Sequence, residues 1–169
     1  MKRHLIILPR RNFSEEDLFN FLDIIKGKIY IATINREIAY GNYKSLVYPD
    51  FSIEEIFKMS SNPFDSIIFI ADKGYKDLII PEVKALFARF LNLMKPVVLS
   101  SLSQVAMAKM GLLYNRIVTF DNVNYPEYEK ILLKYGVKVV DSPFYRDNNL
   151  ISTKGKDSIY LLEEIGILA

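Results

Sequence analysis

The residues best suited to chemistry lie in one short stretch, where a strand turns sharply into a helix. Residues 97–99 are typical of a buried strand, Ser101 stands at the turn, and residues 104–110 favour a helix that Gly111 ends. Such a turn presents its tip residue beside the free amides and partial positive charge of the helix N-terminus. Ser101 is therefore the candidate nucleophile. Serine is also a preferred helix cap, so a purely structural role is the alternative.

Two more loops are expected beside this turn, because ligands of open α/β sheets bind at the carboxyl ends of the strands. These loops cover residues 9–14 and 71–75. The candidate binding or catalytic groups on the three loops are Ser14, Glu15, Asp72, Lys73, the backbone of Gly74, and the amides of Leu102 and Ser103. Glu15 or Lys73 could serve Ser101 as a base, with the amides of Gly74 and Leu102 as an oxyanion hole. Alternatively, Glu15 faces solvent in the first helical turn and Lys73 is a solvated charge.

The composition excludes several other kinds of site. The chain has no cysteine and one histidine, so it has no disulfide, no thiolate metal site and no cysteine nucleophile. No glycine-rich dinucleotide or phosphate-loop motif occurs, and Leu99 and Ser103 stand where a G-x-S-x-G elbow needs glycine. We therefore expect no metal and no cofactor.

The charge and hydropathy of the chain exclude two kinds of partner, nucleic acids and membranes. A net charge of +2, with scattered basic residues, indicates no nucleic-acid partner. The apolar run at residues 5–8 is too short for a signal peptide or a membrane span, so we expect a cytoplasmic protein with no membrane partner. A small-molecule ligand at the serine turn is the partner that this reasoning leaves open.

The elements that must position these residues alternate between strand and helix through most of the chain. Half of the 169 residues are hydrophobic, which suits a single domain over residues 1–169. Strands are predicted at 4–8, 28–34, 66–70, 97–99, 116–120 and 137–140, and helices at 14–25, 52–59, 81–94, 104–110, 125–134 and 157–165. Hairpins are predicted at 36–48 and 144–152. This pattern predicts a three-layer α/β sandwich with a mostly parallel sheet and one or two β-hairpin additions.

The order of these segments resembles the DJ-1/PfpI (ThiJ) family of the class I glutamine amidotransferase-like superfamily, over nearly the whole chain. Residues 64–70 (FDSIIFI) are similar to the family's YDALVIPGG strand, and 81–90 to its following helix. Residues 95–98 (KPVV) resemble the GKPVAAIC strand, and 141–155 (DSPFYRDNNLISTKG) the DEPVVVDGNLITSRG hairpin. Residues 157–168 match the last helix.

The resemblance implies a flavodoxin-like sandwich that forms dimers or hexamers. It also implies a site with a cysteine on the elbow, a glutamate in the first loop, and backbone amides near the PGG loop. Family activities include methylglyoxal hydration, deglycase-type repair, peptidase activity and stress roles.

The chain departs from this pattern at the catalytic positions. Ser101 stands at the cysteine position, Leu102 at that of the histidine that often follows, and Ser103 at the next glycine. The GFED loop reads NFSE, which puts Ser14 at the glutamate position with Glu15 one place later, and PGG has become residues 71–73. A serine hydroxyl, unlike a thiol, needs an adjacent base near neutral pH.

Two main functional hypotheses follow, and a redox or electron-transfer protein that shares only the sandwich, and would carry a flavin, is a third alternative. In the first, the protein is a non-catalytic homologue whose degenerate elbow binds a small anion or carbonyl compound, or which has a stress or structural role. In the second, it is a Ser101-dependent hydrolase of the peptidase, esterase, glyoxalase or deglycase kind. In both, a homo-oligomer is expected, with the aromatic residues Tyr40, Tyr43, Tyr48 and Phe51 as either a contact surface or ordinary hairpin packing.

Overall fold

The computed structural model describes all residues from Met1 to Ala169, and its centre is a seven-stranded sheet. The strands of this sheet are β1 (Arg3–Ile7), β3 (Lys28–Thr33), β6 (Phe51–Ser52), β7 (Ser66–Ala71), β8 (Val97–Ser101), β11 (Phe144–Asp147) and β12 (Leu150–Thr153). Their spatial order is β11-β12-β8-β7-β1-β3-β6, and every neighbouring pair is parallel except β11 and β12. The α/β class and the mostly parallel sheet that the sequence predicts are confirmed.

Two small sheets accompany the central one. One contains β2 (Arg11–Phe13), β4 (Ala39–Gly41) and β5 (Leu46–Val47), and the other contains β9 (Ile117–Thr119) and β10 (Lys138–Val140). The antiparallel pairing of β4 with β5 confirms the first predicted hairpin, and that of β11 with β12 confirms the second. The first loop, predicted as irregular, contains β2, which pairs with β4.

Five α-helices and three 3₁₀ segments complete the chain. They are α1 (Glu15–Ile24), α2 (Ile53–Lys58), α3 (Pro81–Asn92), α4 (Ser103–Lys109) and α5 (Pro126–Lys134), with 3₁₀ turns at Ile34–Arg36, Lys73–Leu78 and Lys156–Ile165. The last predicted α-helix is thus a 3₁₀ segment. Its buried residues Ile159 and Leu162 recur after three positions, which suits a helix with three residues per turn. None of the helices has both the length and the apolar character that a membrane crossing requires.

The core has two parts, one on each face of the central sheet. Alternate residues of the strands, such as Ile67 and Phe69, pack with α3 on one face, while Ile68 and Ile70 pack with α1 on the other. Burial on both faces explains why β7 reads as a continuous apolar run. This sandwich holds the carboxyl ends of β1, β7 and β8 side by side.

Candidate functional site

Ser101 ends β8 in a backbone conformation that non-glycine residues rarely adopt. Its φ is +54°, in the left-handed region, and α4 begins two residues later. A left-handed non-glycine residue costs of order 1–3 kcal/mol and persists only where its surroundings hold it. Part of that support comes from Ser103, whose Oγ donates to the Ser100 carbonyl and accepts from the Ser100 amide. The predicted sharp strand-to-helix turn is present.

The partner of the Ser101 hydroxyl is Asp17, a residue that the sequence analysis did not select. Ser101 Oγ donates to Asp17 Oδ2 across 2.5 Å, and Ser100 Oγ donates to the same oxygen across 2.6 Å. The backbone N–H of Lys156 donates to Asp17 Oδ1 across 2.7 Å. Asp17 and both serines are completely buried. The carboxylate therefore joins α1, the elbow and the C-terminal 3₁₀ segment.

Local sequence explains how Asp17 reaches this position. Ser14 caps α1 by accepting a hydrogen bond from the Asp17 amide, at 3.3 Å. At the start of α2, Ser52 and Glu55 form a capping box, in which each side chain accepts a hydrogen bond from the backbone N–H of the other. At the start of α1, the Asp17 carboxylate instead accepts hydrogen bonds from Ser100 and Ser101. Asp17 shares the buried face of α1 with Phe21 and Ile24, at helical spacing. A carboxylate on an apolar helix face is the signal that would have identified it.

Glu15 lies at the start of the same helix but serves a different loop. Its carboxylate accepts hydrogen bonds from the amides of Tyr43 and Ser45 and from the Ser45 hydroxyl. Burial raises the pKa of the Glu15 carboxyl, but the bonds from Ser45 and Tyr43 together outweigh it, so that the pKa lies below its usual value. The approach is so close that a Cβ on Gly41 would lie 2.2 Å from Glu15 Cγ. Glu15 therefore anchors the β4–β5 hairpin.

The loop after β7 holds the remaining candidates. The Asp72 carboxylate accepts from the Tyr125 hydroxyl at 3.0 Å and from the Asn42 side chain at 3.2 Å. Lys73 is exposed and forms no ion pair, so it lacks the burial that a lysine base requires. Gly74 packs against the backbone of β2, where a Cβ would lie only 1.6 Å from the Arg11 carbonyl oxygen. These residues pack the loops together.

Of the two amides predicted for an oxyanion hole, those of Gly74 and Leu102, the Leu102 amide is already bonded. The Leu102 N–H donates to the Ala71 carbonyl at 3.0 Å, and its side chain is completely buried. An oxyanion hole needs donors aimed at the position where negative charge develops. Because the Leu102 amide already donates its hydrogen bond to the Ala71 carbonyl, it is not such a donor.

Gly155 packs directly against the elbow. Its φ is +87°, and a Cβ there would lie 2.6 Å from Ser101 Oγ and 2.7 Å from Asp17 Oδ2. Ser101, Leu102 and Ser103 have no exposed surface. The three surface cavities, of about 30, 520 and 370 Å³, are lined by residues from other parts of the chain. The elbow is a closed polar cluster in this structure.

Comparisons with known proteins identify the architecture. Searches of family models and of curated protein sequences gave no significant match. Among solved structures, the chain is similar to a ThiJ/PfpI domain protein from Brachyspira murdochii, at 18% identity and a TM-score of 0.82, over 98% of this chain and 94% of that one. Drosophila melanogaster DJ-1beta is 17% identical, with a TM-score of 0.82 over 99% of this chain and 89% of that one. Schizosaccharomyces pombe DJ-1 is 18% identical, with a TM-score of 0.75 over 96% of this chain and 88% of that one. The sandwich that carries the buried Ser101–Asp17 pair is thus the fold of the DJ-1, ThiJ and PfpI proteins.

Proposed function

We propose that this protein is a non-catalytic member of the DJ-1/PfpI structural group, which acts in a structural or binding role through its surface. The observation that carries the proposal is the state of Ser101. Its hydroxyl is completely buried and donates to a carboxylate that also holds Ser100 and the Lys156 amide. In this reading the elbow residues stabilise the fold.

The surroundings of Ser101 support this reading chemically. A serine nucleophile needs a neighbouring base, and an aspartate alone is a weak base at neutral pH. The single histidine, His4, lies near the amino end of β1, whereas Ser101 lies at the carboxyl end of β8. Because the strands are parallel, these two ends are on opposite sides of the sheet along the strand direction. A substrate would also have to reach a hydroxyl that has no exposed surface.

The buried carboxylate also argues against an anion as the ligand of the elbow. Anions favour a helix N-terminus because its amides are free and its dipole is positive. Here the Asp17 carboxylate lies 2.5 Å from Ser101 Oγ. The amide of Leu102, which precedes α4, is not free because it donates to the Ala71 carbonyl. A small anion would meet a like charge at this point.

Serine hydrolysis is the second candidate, and one observation favours it. Ser101 combines a left-handed backbone with a hydroxyl that already donates to a carboxylate across 2.5 Å. Strained residues of this kind cluster at active sites. This candidate requires an opened form in which the Ser101 hydroxyl is exposed.

A fluorophosphonate and an alkylating reagent separate the two candidates. Because the chain has no cysteine, a Ser101→Cys variant carries a single thiol at the elbow, and Ser60→Cys places one on an exposed residue as a control. We expect no fluorophosphonate adduct on the wild-type protein by intact mass, and alkylation of Ser101→Cys at least about 100-fold slower than that of the control. An adduct on wild type that is absent from Ser101→Ala would overturn the proposal and establish the hydrolase. Equal alkylation of both thiols would show that the elbow is open.

A further inference from the structure

A cleft of about 520 Å³ lies between the C-terminal ends of α2 and α3. Its lining includes Met59, Ser60, Asn62, Arg89, Asn92 and Leu93. The two lining segments lead into β7 and β8, so the cleft lies towards the amino ends of these strands, whereas Ser101 lies at the carboxyl end of β8. Small-molecule sites have volumes of about 300–1,000 Å³, so this cleft has the size of a ligand site. We call it the basic cleft.

Arg89 is the only charged residue in the lining of the basic cleft. Its guanidinium donates to the Ile56 carbonyl at 3.2 Å and to the Phe57 carbonyl at 2.8 Å, and Cζ lies 5.8 Å from the centre of the Phe57 ring. These contacts hold the side chain in place and leave other N–H groups of the guanidinium without a partner in the chain. Arg89 forms no ion pair. The cleft therefore contains a fixed positive charge that no carboxylate neutralises.

The backbone acceptors beside Arg89 are already paired within the chain. At the end of α3, the amides of residues 93–95 donate to the carbonyls of residues 89–91. Lys95 Nζ donates to the Asn62 carbonyl at 3.2 Å and to the Phe64 carbonyl at 2.6 Å. Unpaired carbonyls are the source of the negative potential at a helix C-terminus, so these bonds reduce the repulsion that an anion meets there.

Hydrogen-bond donors, in contrast, remain unpaired in the basic cleft. The Asn62 side chain accepts from the Phe64 amide through Oδ1 at 3.0 Å, but its Nδ2 is buried and has no hydrogen-bond partner in the chain. A buried donor without an acceptor is unfavourable, and an acceptor from a ligand removes that penalty. The exposed Ser60 and Asn92 add a hydroxyl and a side-chain amide, and no aspartate or glutamate lines the cleft. The polar lining is thus complementary to a negatively charged acceptor.

The rest of the lining is apolar. Met59 is partly exposed and Leu93 is 50% exposed. A ligand that covers these side chains removes apolar surface from water, which is favourable. The ligand that fits both parts of the lining therefore has an anionic group and a short apolar chain. One cationic side chain matches a monoanion, which favours a carboxylate over a phosphate monoester with a charge of about −2.

We propose that the basic cleft binds a small aliphatic carboxylate. The carboxylate oxygens accept hydrogen bonds from Arg89 and Asn62, and the aliphatic chain lies against Met59 and Leu93. Arginine suits a carboxylate because its planar guanidinium donates parallel hydrogen bonds to both oxygens. The proposal goes beyond the proposed function, because none of these residues bonds to the elbow and the ligand binds whether or not Ser101 is reactive.

Titration with hexanoate, followed by nuclear magnetic resonance of the backbone amides, tests the site. We expect saturable shifts at residues 59–62 and 89–93, with a dissociation constant of about 1 mM. Hexanol has the same chain without the charge, and acetate has the charge without the chain, so each should bind at least about tenfold more weakly. No shifts at the cleft, or equal binding of hexanoate and hexanol, would overturn the proposal. Shifts at residues 100–103 instead would overturn it and would also contradict the closed elbow, so failure of the cleft and failure of the proposed function are distinguishable.

Substitutions at Asn92 test the charge of the cleft while leaving Arg89 in place. Asn92→Asp should weaken hexanoate binding by about threefold and Asn92→Lys should strengthen it by about threefold, because the added charge acts on a monoanion at a partly exposed site. Asn115→Asp is the matched control, since Asn115 is also exposed and lies outside the cleft, and its dissociation constant should equal that of the wild type.

Arg89→Gln removes the positive charge itself and should weaken hexanoate binding by at least about tenfold. Denaturant unfolding of this variant is measured alongside, because Arg89 also bonds to the carbonyls of α2. If Arg89→Gln does not fold, the Asn92 variants decide the outcome. Equal effects of Asn92→Asp and Asn115→Asp, or wild-type affinity in a folded Arg89→Gln, would contradict the proposal.

Discussion

The Ser101 hydroxyl and the Asp17 carboxylate form a completely buried hydrogen bond of 2.5 Å between residues 84 positions apart. A buried carboxylate is stable only when donors surround it, and here three donors do so. The elbow geometry that serves chemistry in α/β enzymes is used in this structure to satisfy a buried charge. Measurements of stability can therefore test the site as directly as measurements of turnover.

Replacing Asp17 with asparagine should lower the free energy of unfolding at pH 7 by about 3 kcal/mol, because two serine hydroxyls and one amide lose a charged acceptor. Chemical denaturation gives the value. Asp157→Asn, on an exposed residue, is the control and should change stability by no more than about 0.5 kcal/mol. Equal effects of the two substitutions would contradict the stabilising role of Asp17.

Gly155→Ala and Gly111→Ala make a matched pair. Both glycines have positive φ, of +87° and +75°, but only a Cβ at Gly155 would approach Ser101 and Asp17, since nothing lies within 4 Å at Gly111. Gly111→Ala should cost about 1 kcal/mol through backbone strain alone. Gly155→Ala should cost about 2–4 kcal/mol because the clash is added to the strain. Thermal and denaturant unfolding should rank the two variants in this order, and a reversed order would show that Gly155 does not pack tightly against Ser101 and Asp17.

Glu15 should make stability depend on acid pH. Hydrogen bonds from Ser45 and Tyr43 hold the pKa of its carboxyl below the ordinary value, although burial acts in the opposite direction. A lowered native pKa stabilises the fold above the unfolded value of about 4.3, and that contribution is lost as the pH falls through the native pKa. Glu15→Gln should therefore unfold at a lower denaturant concentration than wild type at pH 7, and the difference should shrink as the pH falls below about 4.3. A difference that is independent of pH would refute this assignment.

His4 should make the stability of the fold depend on pH in a separate range, closer to neutrality. Burial lowers the pKa of its imidazole, Asp65 opposes the shift and Lys2 adds to it. Nδ1 pairs with Ser66 Oγ at 2.7 Å, and Nε2 has no partner. With a lowered native pKa, the unfolded chain binds a proton first, so stability falls as the pH drops below about 6.5 towards the native pKa.

Nuclear magnetic resonance can follow this titration without ambiguity, because His4 is the only histidine. Its native pKa should lie below 6.5, and His4→Gln should remove the loss of stability between pH 7 and 5. A native pKa at or above 6.5 would contradict the role assigned to burial.

Much of the fold follows from local patterns in the sequence. The continuous apolar run of β7 requires burial on both faces, and Ser52 with Glu55 forms the capping box that its spacing predicts. The turn at Ser101 follows from a buried strand and a helix that meet without a spacer. These signals are local, so a single sequence contains them.

The pairing within the site could not be predicted in the same way. The sequence selected Glu15 in the first turn of α1, but the rotation of that helix about its axis turns Asp17 to the serines and Glu15 to the hairpin. Leu102 was chosen for its amide, which the register of β7 against β8 directs to Ala71. Both outcomes depend on how distant elements pack, which local spacing does not determine.

The bond between the Asp17 carboxylate and the Lys156 amide has a consequence for synthesis of the protein on the ribosome. The two residues are 139 positions apart, an interval that takes about 7–28 s at translation rates of about 5–20 residues per second. Until Lys156 emerges, Asp17 must remain hydrated, and the apolar face of α1 beside it is incomplete. The N-terminal segment is therefore exposed to chaperones and to aggregation for most of translation, and the native elbow can form only late in the emergence of the chain.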